Sequence, residues 1–165
     1  MNRQIRLVFL LGVGLVLWAI SQSGLVHGVL TNKSTSEARQ ISAHANLTRV
    51  IDADTIVVGS TKVRMDGIAA PEMEHRTYSD GRHFMEVLLD EATQVECNLE
   101  GRMSHDREIG RCFFVTQDGQ RIDPQAEIVK AGLARDCPRY SGGKYKQLET
   151  TESKALPLPT YCEER

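Results

Sequence analysis

What most constrains this chain is a change of pattern at Asn46, where short β-rich runs begin and continue, broken by turns, as far as Thr116. Residues 29–44 before it are polar and non-periodic, which reads as a flexible tether. Leu47–Asp52 reads as one strand. Thr55–Val58 and Thr61–Ile68 flank Gly59-Ser60, a two-residue hairpin signal with glycine first. Ser79–Ala92 places Phe84, Val87, Leu88 and Leu89 as a helical stripe. Gln94–Leu99 and Arg111–Thr116 are further strands, the second ending at the turn Asp118-Gly119. Asp123-Pro124 then opens a helix, with aspartate at the N-cap and proline behind it, running through Ile128, Val129 and Leu133. Three strands, a helix, two strands and a helix suit an α+β, mainly β fold: a five-stranded OB-fold barrel with two to three helices.

The N-terminus is set apart from this domain. Met1–Arg6 holds two arginines and no acid, and Leu7–Ile20 is then continuously apolar. That is the charged and hydrophobic order of a secretory signal, and the apolar run is shorter than the ~20 residues of a spanning helix. Residues 1–28 are expected to be a cleaved signal peptide or an N-terminal membrane anchor. Either way, the remainder is exported to the periplasm or beyond. A chain of 165 residues then leaves room for one domain, expected at 45–141, with 142–165 as a C-terminal helix and tail.

Arg3 and Arg6 are the only charged residues in 1–28, so 18 of the 20 basic side chains remain against 22 acidic ones, a net charge of −4. A general polyanion binder carries the opposite sign, because phosphate contacts drive its affinity. A local basic cleft is still open to it, since arginines at 64, 76, 82, 102, 107 and 111 have room to converge. Cys97, Cys112, Cys137 and Cys162 show no zinc-type spacing, and an even count behind a signal segment points to two disulfides. Three pairings are open, beside four free buried thiols. Cys97 and Cys112 fall on consecutive strands, which favours their joining and leaves 137–162 to pin the tail.

Three segments carry the chemistry: Val50-Ile51-Asp52-Ala53-Asp54-Thr55, then Arg64-Met65-Asp66-Gly67-Ile68-Ala69-Ala70-Pro71-Glu72, then Asp106-Arg107-Glu108-Ile109-Gly110-Arg111. Carboxylates for a divalent cation, one more to activate water and two guanidiniums for a phosphate are the parts of a phosphodiesterase. Taken by themselves, Arg64 and Asp54 serve equally well as an internal salt bridge tying two strands. The joint order resembles the staphylococcal nuclease (thermonuclease) family, whose segments read roughly V-I-D-G-D-T, R-L-x-G-I-D-A-P-E and D-x-Y-G-R. The resemblance covers roughly residues 46–137 and implies the same barrel. It also implies that Arg64 and Arg111 grip a phosphate, Glu72 orients or deprotonates water, Asp54 binds Ca2+ with Asp52 beside it, and Tyr140 stacks on a base.

One position departs from that pattern. Ala69 stands where the family places a metal-binding aspartate, and a calcium site wants six to eight oxygens. Three arrangements follow: a weaker site completed by water, compensation by Asp66 or Asp52, or a binding cleft without catalysis. Asp66 is an odd number of strand positions from Ala69 and is expected to face the other way. The expected function is an exported, metal-assisted nuclease acting on nucleic acid. Its competitor is a catalytically inactive envelope protein that binds an anionic polymer or polysaccharide, or assists exopolysaccharide (succinoglycan-type) biosynthesis. His75 and His105 read as solvated loop residues.

Overall fold

The computed structural model describes residues 37–163. The signal or anchor expected at 1–28 lies outside the described residues, as does the tether as far as residue 36. The remainder of that expected tether, Ala38–His44, is a strand, β1, paired along its length with a later strand from Ala38↔Glu100 to His44↔Gln94. Its polar sequence conceals it, because as an edge strand it leaves most of its residues exposed. A single 3-10 turn, Ala45–Leu47, separates it from β2 (Thr48–Asp52).

β3 (Thr55–Val58) and β4 (Thr61–Met65) form the expected hairpin, closed Val58↔Thr61 with Gly59 at φ 60°. The run read as one strand to Ile68 is broken by Gly67 at φ 81°, and β5 (Ile68–Ala69) leaves the sheet. α1 (Tyr78–Asp90) buries Gly81, Met85 and Leu89, whereas Val87 points outward and is 45% exposed. Long β6 (Ala92–Ser104) and β7 (Arg107–Thr116) alternate in and out, putting Val95, Cys97, Leu99, Cys112 and Phe114 in the core. β8 (Arg121–Ile122) pairs with β7, and α2 (Pro124–Lys130) starts as expected: the Asp123 carboxylate accepts from Ala126 N–H at 3.2 Å. β9 (Arg135–Asp136) pairs with β5 in a two-stranded sheet; α3 (Pro138–Ser141) and α4 (Thr151–Ala155) complete the chain. The helix expected late in the chain is thus one short turn of helix at Thr151–Ala155.

Among the described residues the fold is α+β and mostly strand, with four α-helices. Its hydrogen-bonded sheet of seven strands runs β1-β6-β7-β4-β3-β2, with β8 added on β7. The described sheet has seven strands where five were expected: β1 and β8 are the additions, Gly67 turns β5 away, and no ladder between β1 and β2 is made. Gln125, fully buried, ties α2 to the sheet. Its amide donates to Asp66 C=O at 3.1 Å and its oxygen accepts from Cys112 N–H at 3.2 Å. Both cysteine pairs are joined as favoured, Cys97 to Cys112 directly across β6 and β7, and Cys137 to Cys162 in the tail. Disulfides of this kind persist in an extracellular or periplasmic setting. Among the described residues no helix is long and apolar enough to cross a membrane.

Candidate functional site

Strand register builds the site. Thr55 lies opposite Arg64 on β3–β4, and Arg64 beside Ile109 on the parallel β4–β7 pair. Val63, Met65, Ile56 and Gly110 take the core face, so period two sends Arg64 to the other side, with Arg107, Ile109 and Arg111 sharing one face of β7. There a cleft of about 420 Å³ opens, lined among others by Arg64, Asp66, Glu72, Arg102, Arg107, Tyr140 and Tyr161.

Arg64 is already occupied. Its guanidinium holds the Asp54 carboxylate bidentately, at 3.0 Å to Oδ1 and 2.9 Å to Oδ2, and Thr55 Oγ1 donates to the same carboxylate at 2.8 Å. The plainer reading of these two residues, a salt bridge between strands, describes this geometry. Burial pushes the Asp54 carboxyl up to about 7; Arg64 pulls it down without outweighing burial, and Asp52 pushes it up again. Asp52 turns its own carboxylate back on the chain, accepting from Asp54 N–H at 3.0 Å.

Ala69 is 2% exposed and packs with Cys137 and Cys162, with Leu158 against them. Ala69 thus lies against the disulfide that pins the tail. Among the described residues no group of three or more His, Cys, Asp or Glu side chains is placed to hold a metal ion. Asp54 is committed to Arg64, and Asp52 to the backbone.

The tail reaches the cleft. Arg64 Nη2 donates to Tyr161 Oη at 3.4 Å, and burial raises the Tyr161 phenol above its ordinary range. Tyr140 also lines the cleft, on the short helix α3, but Arg102 and Arg139 both lie over its ring, at 5.7 and 5.6 Å from its centroid. Glu72 is exposed at the rim. Arg111 does not line the cleft. It sits two residues beyond Ile109 on the side of Tyr145, and its Nε is buried without a hydrogen-bond partner among the described residues.

Of the six arginines with room to converge, 64, 102 and 107 do so; 76, 82 and 111 do not. Arg107, at the opposite end of the Ile109 row, takes the place expected of Arg111, donating to Thr55 Oγ1 at 3.1 Å. Asp66, two residues after Arg64 and so on the same side, also lines the cleft and meets Arg102 at 3.2 Å. Sequence alone marks Arg107 only as one of six arginines and does not single out Tyr161. The first was legible from period two along β7; the second, ninety-seven residues from Arg64, had no local signal.

No family model matches the chain. It is 25% identical over 112 residues to the succinoglycan biosynthesis protein ExoI of Rhizobium meliloti (strain 1021). That match takes in 62% of this chain and 56% of that protein, so the chain spans little more than half the length of the curated relative it matches.

Proposed function

We propose that this is an exported domain of the staphylococcal nuclease type that binds an acidic polymer in place of cutting nucleic acid, and that it assists exopolysaccharide biosynthesis. One observation carries the reading: Ala69 is buried against the Cys137–Cys162 disulfide while Asp54 is paired with Arg64, so neither of the positions the resemblance assigns to a cation is open to one. The similarity to a succinoglycan biosynthesis protein supports the same direction. An OB-type barrel is part of this proposal. The two ends of the sheet order, β1 and β2, are joined by only Ala45–Leu47, which holds the two edges close together and favours a curled sheet.

The hydrolase reading keeps one support, that Arg64 and Glu72 line the same cleft. The deciding experiment incubates the purified protein with single-stranded DNA, with and without millimolar calcium, and separately measures its binding to an acidic exopolysaccharide. No cutting together with saturable polysaccharide binding is expected. Calcium-dependent cutting that disappears in Glu72→Ala would overturn the reading in favour of a nuclease.

A further inference from the structure

Three arginines line the cleft, and two of them are spent. Arg64 is bound to Asp54, and Arg102 to Asp66 and Glu100. Arg107 has no carboxylate partner among the described residues; its Nη1 rests on Thr55 Oγ1 at 3.1 Å, and its Nε and Nη2 lie 3.4 Å from Ser104 oxygens. A half-buried guanidinium with no carboxylate in ion-pair contact, only the neighbouring Asp106 acting on it through space, is a receptor for one anion.

Three of the large apolar side chains left exposed gather at the same place: Met103 at 49%, Tyr140 at 40% and Tyr161 at 43%. Tyr140 is covered by two guanidiniums, whereas no cation lies over the Tyr161 ring among the described residues. An aromatic face beside hydroxyl acceptors and a cation matches a sugar ring, whose C–H face is apolar and whose edge donates hydrogen bonds. Glu72 and Asp66 supply the acceptors. A DNA strand brings no sugar hydroxyl donors of that kind, and one unpaired arginine is no track for successive phosphates. A volume of about 420 Å³ lies within the roughly 300–1,000 Å³ of small-ligand sites.

We propose that the cleft is a subsite for one carboxylate-bearing sugar of the polymer, with Arg107 as carboxylate receptor and Tyr161, delivered by the Cys137–Cys162 disulfide, as its stacking wall. The inference rests on the acidic-polymer reading above and goes beyond it in naming the subsite.

Calorimetric titration of the full exported protein tests this with three probes: a glucuronate-containing oligosaccharide, the same oligosaccharide reduced at its carboxyl, and a single-stranded DNA oligomer. The glucuronate probe is expected to bind at least about tenfold more tightly than the other two. Arg107→Gln should weaken it about thirtyfold, Arg107→Lys by less because charge survives without the fork, and Tyr161→Leu about tenfold. Arg121→Gln, paired with Glu96 and over Phe113 away from the cleft, should change nothing. Circular dichroism of each variant confirms folding. Glucuronate binding that Arg107→Gln and Arg107→Lys leave intact overturns the subsite while the acidic-polymer reading stands. No glucuronate binding by the native protein overturns both, and tighter binding of DNA than of glucuronate reassigns the cleft to nucleic acid.

Discussion

Ala69 packs against Cys137, the two exposed by 2% and 1%, at the point where the tail is fastened to the domain. Family resemblance makes Ala69→Asp the variant that should restore a cation site. The packing argues otherwise. A carboxylate there would enter an apolar cluster bounded by a disulfide, with Asp54 already paired elsewhere. Ala69→Asp is expected to lose about 3 kcal/mol of stability and to gain no calcium-dependent hydrolysis. Urea unfolding and a DNA-cleavage assay check the two halves; a stable variant that cuts DNA with calcium refutes the packing argument.

The Arg64–Asp54 pair sets a dependence of stability on pH. Folding raises the Asp54 carboxyl from 3.8 to about 7, so the folded state holds this proton more tightly than the unfolded chain does. At pH below 3.8 both states are protonated and there is no penalty. As pH climbs toward 7 the unfolded chain releases its proton first and stability falls; above 7 the loss is complete. Burial raises Asp66 as well, in the same direction. Asp106, Asp118 and Glu152 are lowered, and the stability they add is lost only toward the acid end of this window. The thermal midpoint should therefore decline between pH 4.5 and 7.5. In Asp54→Asn, scanning calorimetry should find that decline clearly flatter; an unchanged slope would show that Asp54 ionises normally.

The two disulfides hold different things. Cys97–Cys112 crosses β6 and β7 within the core, and Cys137–Cys162 fixes a tail that otherwise has few ties to the cleft. With sequence separations of 15 and 25, each closure contributes about 3 kcal/mol in the chain-entropy model. Alanine is the proper replacement, because a buried serine adds an unsatisfied hydroxyl. The Cys97→Ala/Cys112→Ala and Cys137→Ala/Cys162→Ala variants should lose similar stability in denaturant titrations. Only the second should release Tyr161, read as a fall of its raised phenol pKa toward 10 in ultraviolet titration.

Local chemistry made much of this molecule legible in advance. Gly59-Ser60, Asp123-Pro124 and the alternation of β6 and β7 each act through a residue's own backbone or its neighbour, so the hairpin, the α2 cap and the first disulfide followed from sequence. β1 did not, because an edge strand with one wet face has no apolar run to announce it. Of the residues the motif segments named, Arg64 and Glu72 line the cleft and Arg111 does not. Arg111 and Arg107 share a face of β7, and the end of that face at Arg107 is the one that meets Tyr161 of the tail, which Cys162 ties back to Cys137. Ala69 was recognised as the decisive residue, yet what replaces the lost ligand comes from Cys162 and Leu158, which no local pattern connects to it.

Gly67 joins the fold to the cleft in one residue. It turns the chain from β4 into β5 at φ 81°, and its carbonyl accepts from Cys137 N–H at 2.9 Å. A Cβ at this position would meet Ser141 Cβ at 3.0 Å, Ser141 Cα at 3.2 Å and Tyr145 Cε2 at 3.2 Å. Two of those atoms belong to the end of α3 and the third to a fully buried ring, so none can yield freely. Gly67→Ala combines the left-handed backbone penalty with this crowding and should cost about 2–3 kcal/mol. Because α3 carries Tyr140 and follows Cys137, its displacement should also weaken ligand binding at the cleft. Denaturant titration and calorimetry on the same variant check both effects. A Gly67→Ala protein with native stability would mean that the turn tolerates a right-handed geometry, and that the cleft does not depend on the close approach of α3.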